Sequence, residues 1–276
     1  MKRNWPEEKH VAVLFTIMFE GWEEGAAPGV GPMGNALKPG YYDTANAGWA
    51  KYAANNGLER QLKILKEEEI KASVFCSGVQ MERHPDLIRK IAAEGHEVCL
   101  HSLAQNIIPI YLDEATEREQ MSHCLDLAVS LTGKHPVGYC SPRCTPSLNT
   151  SKLLAENGLK YTIDWMGSDL PMVEHTEAGD ICLMPFPMNV NDMPLYVRYG
   201  NAPDQYYRNL VDEFENWYAK HPEEKVVYWI TAHSHVFGRP FGAVQFQRCI
   251  QYIKSLPYVW IAQPHEVAST VLDVTY

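Results

Sequence analysis

Apolar and polar positions along the chain switch repeatedly between two periods. Residues 10–19, HVAVLFTIMF, are apolar almost throughout, which predicts a strand buried on both faces. Leu58, Leu62 and Leu65 then recur at helical spacing in a helix predicted over 58–70. KASVFCSG reads as a second strand. HPDLIRKIAAEG is a helix with Pro at its start and Gly95 at its end, and HEVCLHS is a third strand. DEATEREQMSHCLDLAVSLTG is a long helix stopped by Gly133. PVGYCS is a fourth strand, and SLNTSKLLAENG a helix capped by Ser147 and closed by Gly158. LKYTID and DICLMPF are shorter strands, APDQYYRNLVDEFENWYAKH an amphipathic helix and KVVYWITAHSH a strong late strand. FGAVQFQRCIQYIKSL, YVWIA and HEVASTVL complete the order as helix, strand and helix.

Repeated βα units predict a parallel sheet with helices outside it. In this length they predict an α/β fold, a distorted (β/α) barrel of seven or eight mostly parallel strands, built as a single catalytic domain over 1–276. Such barrels carry their chemistry at the C-terminal strand ends. Glu20 ends the first strand, His101 the third, Arg143 follows the fourth, Asp164 and Asp169 the fifth, and His233 and His235 the late one. Residues 21–56, rich in Gly, Pro and Ala, read as a long loop over those ends, a lid or a dimer contact.

Composition narrows the partners. The 276 residues are 46% hydrophobic and 21% charged, with a formal charge of −10, which argues against nucleic acid or an anionic membrane as a main partner. No window approaches a membrane span, and MKRNWPEEKH lacks the apolar stretch of a signal peptide. Seven scattered cysteines without a C-x-x-C pair fit reduced thiols, and a cytoplasmic protein is expected.

A carboxylate at the mouth of an apolar strand, as at Glu20, is suited to act as a base, although a lone Glu is more often a solvated loop acid. His101 is a candidate ligand, base or oxyanion donor, against the plainer reading of a core histidine bonded to a carbonyl. Strand alternation sends His233 and His235 to the same side, one for chemistry and one for support. Arg143 stands in a stiff turn between two prolines, placed to clamp a carbonyl or carboxylate oxygen or to remain on the surface. Asp169 is a candidate partner of Arg143 or His233. Trp22 and Trp165 are candidates to stack on a flat ring, against ordinary packing. A catalytic zinc takes three protein ligands. Glu20 and His101 supply two, and Gln105, a neutral amide, is a poor third.

The order of a strand-one acid, GHEVCLHS, GYCSPRCTPS and a late HVFGRP resembles the polysaccharide deacetylase (NodB-homology) superfamily over nearly the whole chain. SDLPM, LMPFPMNVNDM and HVFGRP resemble its branch of metal-independent allantoinases and cyclic imide hydrolases. The resemblance implies a NodB-like barrel and hydrolysis of non-peptide C–N bonds. The deacetylases carry two adjacent acids and His-Ser/Thr-x-x-His. Here Glu20 is followed by Gly21, and HSLAQ places Gln105 where the second histidine stands. Asn55 also stands where the relatives carry Arg. The resemblance implies Glu20, His101, Arg143 and His233 in catalysis, with His235 as the competitor for the histidine role, and Asp169 is added to them as the candidate partner of Arg143 or His233. Trp22, Gln105, Trp165 and His235 would lie at the substrate. No cofactor is favoured and zinc remains an option. The expected substrate is a small cyclic ureide, hydantoin or imide. An N-acyl compound cleaved with a metal, or a non-catalytic binding protein on this fold, are the alternatives. A homo-oligomer, dimer or tetramer, is the expected assembly.

Overall fold

The computed structural model describes residues 5–27, 37–38, 40–186, 188 and 190–273. β1 (Val11–Phe19) is the centre of the sheet, buried at all nine positions. The insertion that follows is not all loop: it holds helix α1 (Thr44–Tyr52), capped by Asp43, and a wide turn over Ala53–Gly57. α2 (Leu58–Glu67) continues without a break. Next come β2 (Ser73–Cys76), the short α3 (Gly78–Arg83), α4 (Pro85–Ala93) and β3 (Glu97–Leu100). α5 (Glu114–Thr132) runs from its Asp113 cap to a left-handed Gly133. β4 (Gly138–Tyr139) precedes α6 (Thr150–Glu156). Ser147 lies outside that helix, which begins after Asn149; the Ser147 hydroxyl accepts the Asn149 N–H at 2.9 Å and so caps the turn before the helix.

β5 (Tyr161–Trp165) is followed by β6 (Met172–Thr176) and β7 (Gly179–Pro185). β6 has no counterpart in the sequence reading. It pairs antiparallel with β7, and its alternation is blurred because Glu174, His175, Thr176, Glu177 and Asp180 surround the hairpin turn. α7 (Gln205–Glu213) is shorter than the amphipathic stretch, which widens into a π-turn over Phe214–Tyr218. β8 (Val226–His233), α8 (Pro240–Lys254), β9 (Val259–Ala262) and α9 (Pro264–Leu272) finish the chain.

The strands form one sheet in the order β6-β7-β5-β4-β3-β2-β1-β8, parallel except for β6. β9 joins the N-terminal half of the same β1 edge whose C-terminal half carries β2. On the open side, Asn191 bridges Thr231 of β8 in parallel register, so irregular chain after β7 curls the sheet into a distorted barrel.

Period-two alternation sorts the strands between two cores. Val11, Val13, Phe15, Ile17 and Phe19 of β1 pack towards the helices, as do Tyr228, Ile230 and Ala232 of β8. Ala12, Leu14 and Met18, with Val227 and Trp229, fill the barrel interior. The same parity carries Glu20, His101 and His233 inward at the C-terminal rim. Glu20 and His101 each follow the last paired rung, Phe19–Cys76–Leu100.

The insertion is fastened to that rim. Gly57 packs against the backbone of Ser234: a Cβ there would lie 1.9 Å from the Ser234 carbonyl oxygen. The Ser234 hydroxyl donates to Gln61 Oε1 at 2.7 Å, Arg60 donates to the Gly238 carbonyl, and the Arg239 guanidinium lies 3.9 Å over the Tyr52 ring. Gly57→Ala is therefore expected to destabilise by about 3 kcal/mol, as overpacking against backbone does. A thermal melt should show a midpoint about 6 °C lower or more; an unchanged midpoint would mean that this seam opens freely.

Candidate active site

Four side chains meet at the rim. Glu20 is 8% exposed and His101, His233 and His235 are buried. Their Nε2 atoms all face the one carboxylate: His101 at 3.4 Å and His233 at 3.6 Å from Oε1, His235 at 3.7 Å from Oε2. Gln80 fixes the backbone beneath them by donating to the Glu20 carbonyl at 2.8 Å.

The other ring nitrogens set the roles. His101 Nδ1 lies 2.7 Å from the Cys140 carbonyl, which only accepts, so Nδ1 carries a proton and Nε2 is the atom that exchanges one. His233 Nδ1–H donates to Asp192 Oδ1 at 2.6 Å. Asp192 is fully buried, and its Oδ2 accepts the N–H groups of His233 (2.8 Å) and Phe237 (3.1 Å). It holds both ring and backbone of the late histidine. His235 is the odd member: neither ring nitrogen has a hydrogen-bond partner, and Trp22 and Trp49 pack edge-on against it at 5.2 and 4.3 Å.

The charges follow from this. Burial opposes ionisation of Glu20, but the charge of His233, the hydrogen bond from His101 and the charge of His235 outweigh it, and the carboxyl is lowered to about 2. Burial likewise opposes the proton on His233, yet the charges of Asp192 and Glu20 and the Asp192 hydrogen bond raise its affinity above the ordinary histidine value, with Arg198 opposing. His235, desolvated and only partly offset by Glu20, falls to about 3 and is neutral near pH 7. Below the ordinary histidine value, therefore, the cluster is a carboxylate, Glu20, beside an imidazolium, His233.

The remaining sequence candidates fall elsewhere. Trp22 is buried, packed against His235 and Trp49, and only its edge reaches the neighbouring cleft. Gln105 is buried and donates to the Ser77 hydroxyl at 3.2 Å and the His101 carbonyl at 3.4 Å, so it braces the His101 loop. Arg143 is exposed on the turn after β4, in left-handed conformation (φ 57°). Its guanidinium forms no ion pair with Asp169 or another acid among the described residues. Asp169 does not join the site: it is exposed, and its carbonyl accepts from Val227 N at 3.3 Å, at the start of β8 and the opposite end of the barrel. The chain after β5 leaves the rim before it reaches this residue. Trp165 is half-buried at the end of β5, its indole N–H without a partner. Asn55 lines a cleft of about 240 Å³ with Trp22, Arg83 and His84, outside the histidine cluster. The residue that sequence reasoning missed is Asp192. Its signal was present in LMPFPMNVNDM, but it stands at the N-cap of a short π-helix (Met193–Arg198), too brief for any periodicity to aim a side chain.

The family's metal set does not fit here. Gly21 offers no donor, and a Cβ on it would lie 2.7 Å from Val79 Cγ2 and 2.8 Å from Gln80 Cγ, so the space for a second acid is filled. Gln105 spends its amide on Ser77 and His101. Among the described residues, two groups of three bring their ligand atoms within 4.8 Å of one another, and neither includes Glu20 or the three histidines.

The family model for polysaccharide deacetylase matches residues 40–162. A probable polysaccharide deacetylase from Pseudomonas aeruginosa PAO1 superposes with a TM-score of 0.86 at 28% identity, covering 97% of this chain and 93% of that one. The chain belongs to the polysaccharide deacetylase family. As a deacetylase-family hydrolase it is also similar, at 23% identity over 80% of its length and 85% of the relative's, to a peptidoglycan deacetylase of Helicobacter pylori. Another solved structure, the Puue allantoinase, superposes equally well: TM-score 0.86, 29% identity, 97% of this deacetylase-family chain and 92% of that one. No helix among the described residues is long and apolar enough to cross a membrane.

Proposed function

We propose that this family member hydrolyses a C–N bond in a small cyclic amide (a ureide, hydantoin or imide) by general acid–base attack of water. The observation that carries this reading is the pairing of Glu20 with the Asp192–His233 dyad at a rim whose second acid and second histidine positions hold Gly21 and Gln105. Glu20, with His101 Nε2 beside it, takes the proton from water. His233 gives its proton to the leaving nitrogen, and Asp192 holds the ring in the productive tautomer and steadies its charge. The low proton affinity of Glu20 does not disqualify it. It is set largely by the imidazolium opposite, and as His233 gives up its proton that pull on Glu20 disappears. The acid and the base are thus coupled through one contact.

Arg143 and backbone N–H groups at the rim are the proposed oxyanion donors. A site built this way needs a carbonyl that is already electrophilic, which ureido and imide carbonyls supply better than an acetamide. The similarity to an allantoinase structure supports the same substrate class.

The test is a hydrolysis screen across allantoin, hydantoins, succinimide-like imides and N-acetyl sugars, with a chelator or with added zinc. Ring opening that persists in chelator is expected. Turnover of N-acetyl sugars alone, and only with metal, would replace this reading with a deacetylase. No turnover of any compound would favour a binding protein.

A further inference from the structure

A second cluster lies behind His101. Cys140 Sγ, Cys144 Sγ and an Asp164 oxygen all lie within 4.8 Å of one another, with Cys140 Sγ 3.6 Å from Asp164 Oδ1. The acid is held in place: Ser141 N–H bonds both its oxygens, at 3.1 and 3.0 Å, and the Thr162 hydroxyl donates to Oδ2 at 2.9 Å. Arg143 and Cys144 are consecutive non-glycine residues in left-handed conformation, φ 57° and 50°. That turn folds Cys144 back onto Cys140. Cys140 is buried and Cys144 half-buried, so the group has a floor and an entrance.

We propose that Cys140, Cys144 and Asp164 bind one thiophilic divalent cation, zinc or cadmium, at a site separate from the histidine cluster. Tetrahedral zinc with sulfur and oxygen ligands sets them about 3.5–3.8 Å apart, from bond lengths of about 2.3 and 2.0 Å. The Cys140 Sγ–Asp164 Oδ1 separation of 3.6 Å already has this value, and the other separations, within 4.8 Å, must close by about 1 Å at most. Two sulfur ligands select zinc or cadmium over magnesium or calcium. The reaction is M²⁺ plus two thiols plus one carboxylate, giving the complex and two protons. The group carries one negative charge before and after, so His101 and Glu20 feel no added charge. The cation instead ties down the turn that bears Arg143 and the strand end whose Cys140 carbonyl orients His101. Since protons are released, affinity rises with pH.

The experiment is a cadmium titration of the metal-stripped full chain at pH 8, read by thiolate-to-cadmium ultraviolet absorption, a proton indicator and a thermal melt. One equivalent is expected, with release of about two protons. At a hundredfold excess over Kd the melting midpoint should rise by about 5 °C. Cys140→Ser/Cys144→Ser should lose both the band and the shift. Cys144→Ser alone, on the half-buried turn, gives the same answer should the double variant not fold. A band retained in these variants overturns the proposal, as does its absence from the wild type. Cadmium uptake without a thiolate band would place the ion at the surface group His221, Glu223 and Glu224, which also overturns it.

Discussion

Glu20→Gln is expected to lower kcat for ring opening by about 10³-fold or more, with little change in KM. General acid–base groups contribute about 10²–10⁴-fold, and this change removes the base and also the charge that helps to keep His233 protonated. Glutamine keeps the shape of the side chain, so the loss should come from charge and not from packing. Kinetics on the best cyclic substrate, with a thermal melt as control, decide it: a folded variant that keeps more than about a tenth of the activity removes Glu20 from the mechanism. Stability follows the same group. A carboxyl lowered to about 2 from 4.5 stabilises the fold fully above its ordinary value, and that stabilisation is lost as pH falls towards 2.

Asp192→Asn should cost about 10²–10⁴-fold in kcat, because the amide no longer favours the imidazolium or fixes its tautomer. It also carries a pH signature. In the wild type His233 holds its proton above the ordinary histidine value, so kcat/KM should decline only on an alkaline limb above 6.5. With Asp192 neutralised, the largest favourable charge is gone, burial weighs more heavily and the limb moves to lower pH. The sign for stability is the same: the contribution of His233 is complete below the unfolded value and lost as pH rises through the raised one. A variant whose alkaline limb stays in place would mean that His233 is not the acid. Because His235 is lowered to about 3 and has no hydrogen-bond partner for either nitrogen, it cannot take over that limb.

The barrel was legible in the sequence because βα alternation is a period that physics enforces over many residues, and strand parity then fixed which way Glu20, His101 and His233 face. Side chains off the strands were not legible in the same way. Asp192 caps a short π-helix beside β8, 41 positions before the histidine it holds, and no local pattern joins the two. Asp169 failed for the converse reason: it follows a strand closely in sequence, while the backbone carries it to the far end of the barrel. Trp22 stands two residues after Glu20 in sequence, but the insertion supplies Trp49 and His235 supplies a ring edge, and together they bury most of it. The helix within residues 21–56 was obscured by the Gly and Pro content of the segment that precedes it.

The contact of Gly57 with Ser234 bears on how this protein can change. The long insertion after β1 is bolted at its C-terminal end, glycine to carbonyl, onto the turn between the two late histidines. An altered insertion would thus reshape the entrance and shift the proton donor together. New substrates would be reached by paired substitutions across that seam, and loop grafts from relatives would arrive with their histidines out of line.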